Sequence, residues 1–176
     1  MQVSRAKLLG TGTALAMIGS GLLGPFISAA EAASEGDLKI LQSAAEAERT
    51  AIKAYGDAAG TGLLSPPILA VAKGFMADHI AHRDALEGAI KAAGMKPETG
   101  VMKITYPPLK SQNDILNFAE TLERGAATAY LGAVGSLQDR SLARVAGSIL
   151  GVETTHVAIL AYTLTKTTEP YKDFSS

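Results

Sequence analysis

The chain has 176 residues, 16 lysines and arginines against 17 aspartates and glutamates, and no cysteine. A near-neutral balance without a basic stripe argues against nucleic acid as a partner. The lack of cysteine excludes disulfides, iron–sulfur clusters, thiolate metal sites and a lipidated N-terminal cysteine, so the fold must rest on packing, or on packing plus a metal.

Residues 1–32 read as an export signal. Arg5 and Lys7 form a small positive head, Leu8 to Ile27 is an apolar run rich in glycine and alanine, and Ala30-Glu31-Ala32 fits a small-x-small cleavage site. The run is nearly long enough to stay in a bilayer as an anchor. Gly10, Gly12, Gly19, Gly21, Gly24 and Pro25 make it a poor permanent span. Ser4-Arg5-Ala6-Lys7-Leu8-Leu9 resembles a twin-arginine signal with Ala6 in place of the second arginine. On this reading the mature chain starts near Ala33, forms one domain over 33–176, keeps no stable membrane span and is periplasmic or secreted. Without Arg5, Lys7 and Glu31 the balance is 14 basic against 16 acidic side chains.

The spacing predicts a first helix over about 37–59, in which Leu38, Leu41, Ala45, Glu48, Ile52 and Tyr55 share one face, ended by Gly60-Thr61-Gly62. A second follows over 66–93, with Ser65 as its cap and Pro66 at its first position. Its stripe is Leu69, Ala72, Phe75 or Met76, His79, His82, Leu86 and Ile90, and Gly94 stops it. Pro97, Pro107 and Pro108 argue against helix in the connection that follows, where Tyr106-Pro107-Pro108 suits an extended piece laid along the outside of the molecule.

A third helix is expected over 114–135, with caps offered by Ser111 to Asp114 and the stripe Leu116, Ala119 or Glu120, Glu123, Ala126, Tyr130 and Val134. After a turn at Gln138-Asp139-Arg140, a fourth is expected over 141–165, capped by Ser141, with the stripe Leu142, Val145, Ile149, Glu153, His156, Leu160 and Thr163. Gly147 and Gly151 weaken it locally. The polar tail after Lys166 is expected to be loose. Short, long and short connections mean hairpin, crossover, hairpin: an all-α four-helix bundle of two hairpins joined by a long crossover.

One segment occurs twice. Glu48-Arg49-Thr50-Ala51-Ile52-Lys53-Ala54-Tyr55 and Glu123-Arg124-Gly125-Ala126-Ala127-Thr128-Ala129-Tyr130 both fit E-R-x-A-x-x-A-Y. Each copy is followed by an i, i+3 pair, His79 and His82 in the first case, Glu153 and His156 in the second, and these pairs contain all three histidines of the chain. A lone buried glutamate is more often an ion-paired core residue than a ligand, and a lone histidine more often hydrogen-bonded in the core. Six such side chains on four inward stripes of a two-fold repeat are better read as one metal site, since an i, i+3 pair shares a helix face and reaches one centre. Tyr55 and Tyr130, seven residues beyond their glutamates, read as a symmetric pair of core aromatics whose hydroxyls find buried partners. Arg49 and Arg124 are expected to point away as surface or interface charges, Asp78 to be a solvated surface charge rather than a substitute carboxylate turned in from i, i+4 of His82, and Glu46 and Glu120 to fit the stripes less well.

Here the chain resembles the ferritin-like superfamily, and within it the exported bacterial ferritin-like domain proteins. The resemblance rests on Asp78-His79-Ile80-Ala81-His82-Arg83-Asp84-Ala85-Leu86 and on the order of candidate ligands, and covers most of residues 37–165. It implies the pattern Glu, Glu-x-x-His, Glu, Glu-x-x-His around two iron or manganese ions. Glu48, His82, Glu123, Glu153 and His156 match, whereas His79 stands where the family has glutamate. Three carboxylates against two divalent ions leave a surplus positive charge, and three imidazoles shift preference towards copper, nickel or zinc. The resemblance implies a di-metal redox site acting on peroxide or dioxygen, with a role in oxidative stress. The alternative is a non-catalytic metal sequestration or stress protein with a mononuclear or degenerate site. The expected partners are a metal ion and a small inorganic substrate. A homodimer is a further expected partner, and a large cage is not expected, since the mature length holds no evident fifth helix.

Overall fold

The computed structural model describes residues 33–165; the expected export signal and the tail from Lys166 lie outside the described residues. Four helices follow one another: α1 Glu35–Gly60, α2 Pro66–Ala92, α3 Gln112–Ser136 and α4 Arg140–Thr165. No strand occurs among the described residues.

The helix ends show local chemistry at work. Ser34 caps α1, its hydroxyl accepting the Asp37 N–H at 3.1 Å, while Glu35 and Asp37 complement the positive end of the helix dipole. Ser111 caps α3 in the same way, accepting from the Asp114 N–H at 3.2 Å. Two caps differ from expectation. Ser65 occupies the cap position of α2 but makes no side-chain capping bond; Pro67, at the second helical position, lacks one of the two N–H donors such a cap would serve. Its own N–H instead donates to Gln112 Oε1 at 2.9 Å, tying this turn to the start of α3. In α4 the cap is Asp139 rather than Ser141: Asp139 Oδ1 accepts the Ser141 N–H at 2.6 Å and the Leu142 N–H at 3.4 Å. Ser141 lies within the first turn and donates its hydroxyl to the same oxygen. Gly62 and Gly94, with φ of 72° and 78°, reverse the chain after α1 and α2 in a conformation that L side chains avoid.

α1 packs along α2 and α3 along α4, and the hairpins meet through α1 with α3 and α2 with α4. α4 is long and apolar enough to cross a membrane by length and composition alone, and its Leu142, Ile149, Val157 and Leu160 are buried in the bundle.

The apolar core is divided in two. One cluster joins Leu41, Leu86, Ile90, Tyr130, Leu142 and Ile149 at the end where α1 starts and α2 ends. The other joins Tyr55, Phe75, Leu116 and Leu160 at the opposite end. Between them lies a layer of buried polar side chains.

Two polar features fasten the frame. Asp37 is only 1 % exposed. Its carboxylate accepts the Gln138 N–H at 2.9 Å and the Asp139 N–H at 3.0 Å, latching the first turn of α1 to the α3–α4 turn. The crossover runs extended along α1 over a much longer stretch than the Tyr106-Pro107-Pro108 expected. Gln42 bonds Lys96 and Glu98, Thr50 bonds Met102, and Tyr106 bonds Asp57. Arg49 belongs to this strap. Its Nε donates to the Gly100 carbonyl at 2.8 Å and its Nη1 to Glu87 at 2.9 Å. It is therefore a half-buried clamp in the α1–α2 seam, not a surface charge, because the crossover covers the face to which it turns.

Candidate metal centre

The polar layer consists of Glu48 from α1, His79 and His82 from α2, Glu123 from α3, and Glu153 and His156 from α4, none more than 8 % exposed. All six sequence-derived candidates therefore converge. They form two overlapping groups, Glu48–His79–His82–Glu153 and His79–Glu123–Glu153–His156, in each of which one ligand atom per residue lies within 4.8 Å of the others.

His79 is central. Its Nδ1 lies 2.7 Å from Glu48 Oε2 and its Nε2 lies 3.2 Å from Glu123 Oε1. His82 Nδ1 approaches Glu153 Oε1 at 3.0 Å and Glu48 Oε1 at 3.6 Å. His156 Nδ1 lies 3.3 Å from Glu123 Oε2 and 3.8 Å from Glu153 Oε2. Atoms sharing an ion through bonds of about 2.1 Å stand roughly 3 to 3.5 Å apart, and the separations here run from 2.7 to 3.8 Å around that range.

The donor set fits a metal for a further reason. Both carboxylate oxygens of Glu153 and Nδ1 of His82 are buried and have no hydrogen-bond partner. His82 Nδ1 and Glu153 Oε1 are close enough to bond but do not aim at one another. A buried carboxylate left so costs about 1–3 kcal/mol or more, and converging donors without mutual hydrogen bonds are what a cation between them would satisfy. Asn, Cys and thioether ligands are absent from the cluster, so the chemistry is carboxylate and imidazole, suited to divalent ions from manganese to zinc.

The two tyrosines cross the bundle. Tyr130 Oη donates to Glu48 Oε1 at 2.5 Å, and Tyr55 Oη donates to Glu123 Oε1. Burial and the adjacent Glu123 push the Tyr55 phenol far above its usual range, and burial and Glu48 do the same to Tyr130, so both remain donors. Asp78 departs from expectation. It is exposed, but its Oδ2 sits 3.1 Å from His156 Nε2 across the α2–α4 seam. It thereby fixes the ring so that Nδ1 faces the cluster. Sequence reasoning missed this because a side chain adjacent to an inward residue on one helix can still reach the next helix. Phe75 stacks on the His156 ring with centroids 3.9 Å apart. Beyond it an apolar cavity of about 40 Å³ is walled by Tyr55, Phe75, Leu116, Ala119 and Leu160. Glu120 pairs with Arg124 on its own helix, and Glu46 packs by Gly100, so neither joins the centre.

Electrostatics bind the cluster into one unit. Burial pushes the Glu48 carboxyl up, yet the hydrogen bond to His79 and the nearby His82 outweigh it and hold the pKa at about 2. Burial likewise opposes charging of His79, but Glu123 and Glu48 raise it to about 10. His156 is raised to about 9, against burial, by Glu123 and Glu153. Burial opposes charging of His82 too, and Glu153 and Glu48 outweigh it and raise its pKa.

The fold has relatives among solved structures. It is similar to a conserved hypothetical protein from Mycobacterium tuberculosis, at 19% identity over 78% of this chain and 95% of that one, with a TM-score of 0.68. It is similar also to a ferritin-like, diiron-carboxylate protein from Bacillus anthracis, at 19% identity over 73% and 95% with a TM-score of 0.66. A third relative in fold is the dodecameric thioferritin, a bacterioferritin-related protein, of Bacteroides fragilis, at 19% identity over 74% and 84% with a TM-score of 0.64. No curated protein matches the sequence. The ferritin-like domain pattern matches residues 36–166, which takes in all four helices and every member of the buried cluster. With a four-helix bundle, a long crossover and an inward Glu/His layer, the chain belongs to the ferritin-like domain family.

Proposed function

We propose that this is an exported metal-binding protein that holds two divalent ions between Glu48, His79, His82, Glu123, Glu153 and His156 and acts on peroxide or dioxygen. The observation that carries the metal-binding part is the trio of buried donor atoms, Glu153 Oε1 and Oε2 and His82 Nδ1, without hydrogen-bond partners. A bound redox-active pair would supply the electron transfer that side chains of this kind cannot supply alone. The chain's own residues do the rest. Tyr55 and Tyr130 hold the carboxylates of Glu123 and Glu48 in place. Asp78 orients His156, and Phe75 covers its ring face and keeps water from that side. Family resemblance favours iron or manganese, and the three imidazoles favour copper, nickel or zinc.

A second reading, sequestration without turnover, is supported by the burial of all six side chains, with His82 the most exposed at 8 %. Metal analysis of protein isolated from its native compartment, with peroxide and dioxygen consumption assayed alongside, separates the two. Turnover with metal bound supports redox catalysis; stoichiometric metal without turnover supports sequestration. His156→Ala should lower metal content per chain, and unchanged content would overturn the metal site. For export, mass spectrometry of the extracytoplasmic fraction should find an N-terminus near Ala33, and an intact Met1 in the membrane fraction would favour the anchor.

A further inference from the structure

We propose that His79 bridges the two ions through both ring nitrogens, as an imidazolate, so that the centre is joined by a histidine at the position where its family carries a carboxylate. The inference rests on the reading that the cluster binds metal.

The two candidate groups share only His79 and Glu153. His79 Nδ1 faces Glu48 Oε2 at 2.7 Å and Glu153 Oε1 at 3.7 Å. His82 Nδ1 stands 3.0 Å from that same Glu153 oxygen. These atoms form a set of two nitrogens and two oxygens. His79 Nε2, on the far edge of the ring, faces Glu123 Oε1 at 3.2 Å. His156 Nδ1 lies 3.3 Å from the other Glu123 oxygen and 3.8 Å from Glu153 Oε2. These atoms form a second set, again of two imidazole nitrogens with oxygens from two carboxylates. The ring therefore stands between two matching sets, with a nitrogen in each, and Glu153 turns one unpartnered oxygen to each side. A histidine that merely ligated one ion would present its second nitrogen to a carbonyl or carboxylate lying outside the site, as His156 does with Asp78. His79 presents its second nitrogen to another ligand.

Charge leads to the same arrangement. Glu48, Glu123 and Glu153 carry three negative charges against four positive charges on two divalent ions, and an uncompensated charge is costly in a buried layer. Coordination through both nitrogens displaces the ring's N–H protons to solvent and leaves the imidazolate with one negative charge. The centre is then neutral without a fourth carboxylate.

The geometry has a measurable signature. Bridged di-metal sites of the common kind hold their ions about 3.5–4 Å apart. An imidazolate bridge sets them about 6 Å apart, the span of the ring plus two metal–nitrogen bonds of roughly 2 Å. The test is to load the purified full chain with copper(II), measure copper per chain, and locate the ions by anomalous diffraction. The expected result is two coppers per chain about 6 Å apart, with His79→Glu shortening the distance to about 3.5–4 Å. Two ions within 4 Å in the unsubstituted chain, or a single copper, would overturn the bridge and leave metal binding standing. No bound copper, zinc, iron or manganese would overturn both. The distance in the unsubstituted protein decides the matter even if the variant does not fold.

Discussion

Tyr130 on α3 donates its hydroxyl to Glu48 on α1 at 2.5 Å, although 82 residues separate them in the sequence. Tyr55 returns the same bond from α1 to Glu123 on α3. The repeated segment thus works by exchange: the tyrosine of each copy holds the glutamate of the other, two helical turns along its own helix.

Tyr130→Phe keeps the ring in the core and removes the donor to a buried carboxylate. Metal-free protein should lose about 1.5–3 kcal/mol, the value of a hydrogen bond to a charged group, read from urea unfolding at constant slope. An unchanged midpoint would show that Glu48 is held by the histidines alone.

Asp37→Ala should cost about 2 kcal/mol, since it removes a buried carboxylate that accepts two backbone N–H groups of the α3–α4 turn. Metal content per chain should stay as it was, because the latch lies at the end of the bundle away from the polar layer. Thermal unfolding and metal analysis on one sample check both halves.

Asp78→Ala should weaken metal binding about 10- to 100-fold, the usual effect of losing the partner that orients a histidine ligand. Stability without metal should change little, as the Asp78 side chain is 52% exposed. Chelator competition titrations measure this. Equal affinity for variant and parent would return Asp78 to the role of a solvated charge.

Stability and metal affinity should run in opposite directions with pH. His79 and His156 have folded pKa values of about 10 and about 9 against an ordinary 6.5. Their contribution to metal-free stability is therefore complete below pH 6.5 and is lost as pH rises through 9 to 10. Glu48, lowered from 4.5 to about 2, contributes above pH 4.5 and ceases to do so as pH falls through 2. Metal-free protein should be most stable between pH 4.5 and 6.5, whereas ions must displace protons from the imidazoles and should bind more tightly as pH rises. Melting curves with and without chelator across pH 4 to 10 should cross. Parallel curves would contradict the exchange of protons for metal.

The inward stripes were legible because each helix has a period that places Leu41, Ala45, Glu48 and Tyr55, or Ile149, Glu153, His156 and Leu160, on one side. The crossover was legible from its prolines. What the sequence hid depends on pairs far apart in the chain. Asp37 reads as a helix start, and only the fold brings Gln138 and Asp139 to it. Arg49 follows an inward residue and reads as a surface charge until a strap of backbone covers it. The cap of α4 was misplaced because serine and aspartate are both good caps, and two residues apart only the hydrogen bonds decide.

Glu48, His79 and His82 come from the first hairpin and Glu123, Glu153 and His156 from the second, so each group of donors is three from one hairpin and one lent by the other. Neither hairpin owns a complete set. An ion in either group is therefore a reversible staple between them, and the one that includes Glu48 and Glu153 closes a loop of about 105 residues. In a chain without cysteine, that staple would do the work of a disulfide, and its strength would follow the supply of metal and not the redox state of the surroundings.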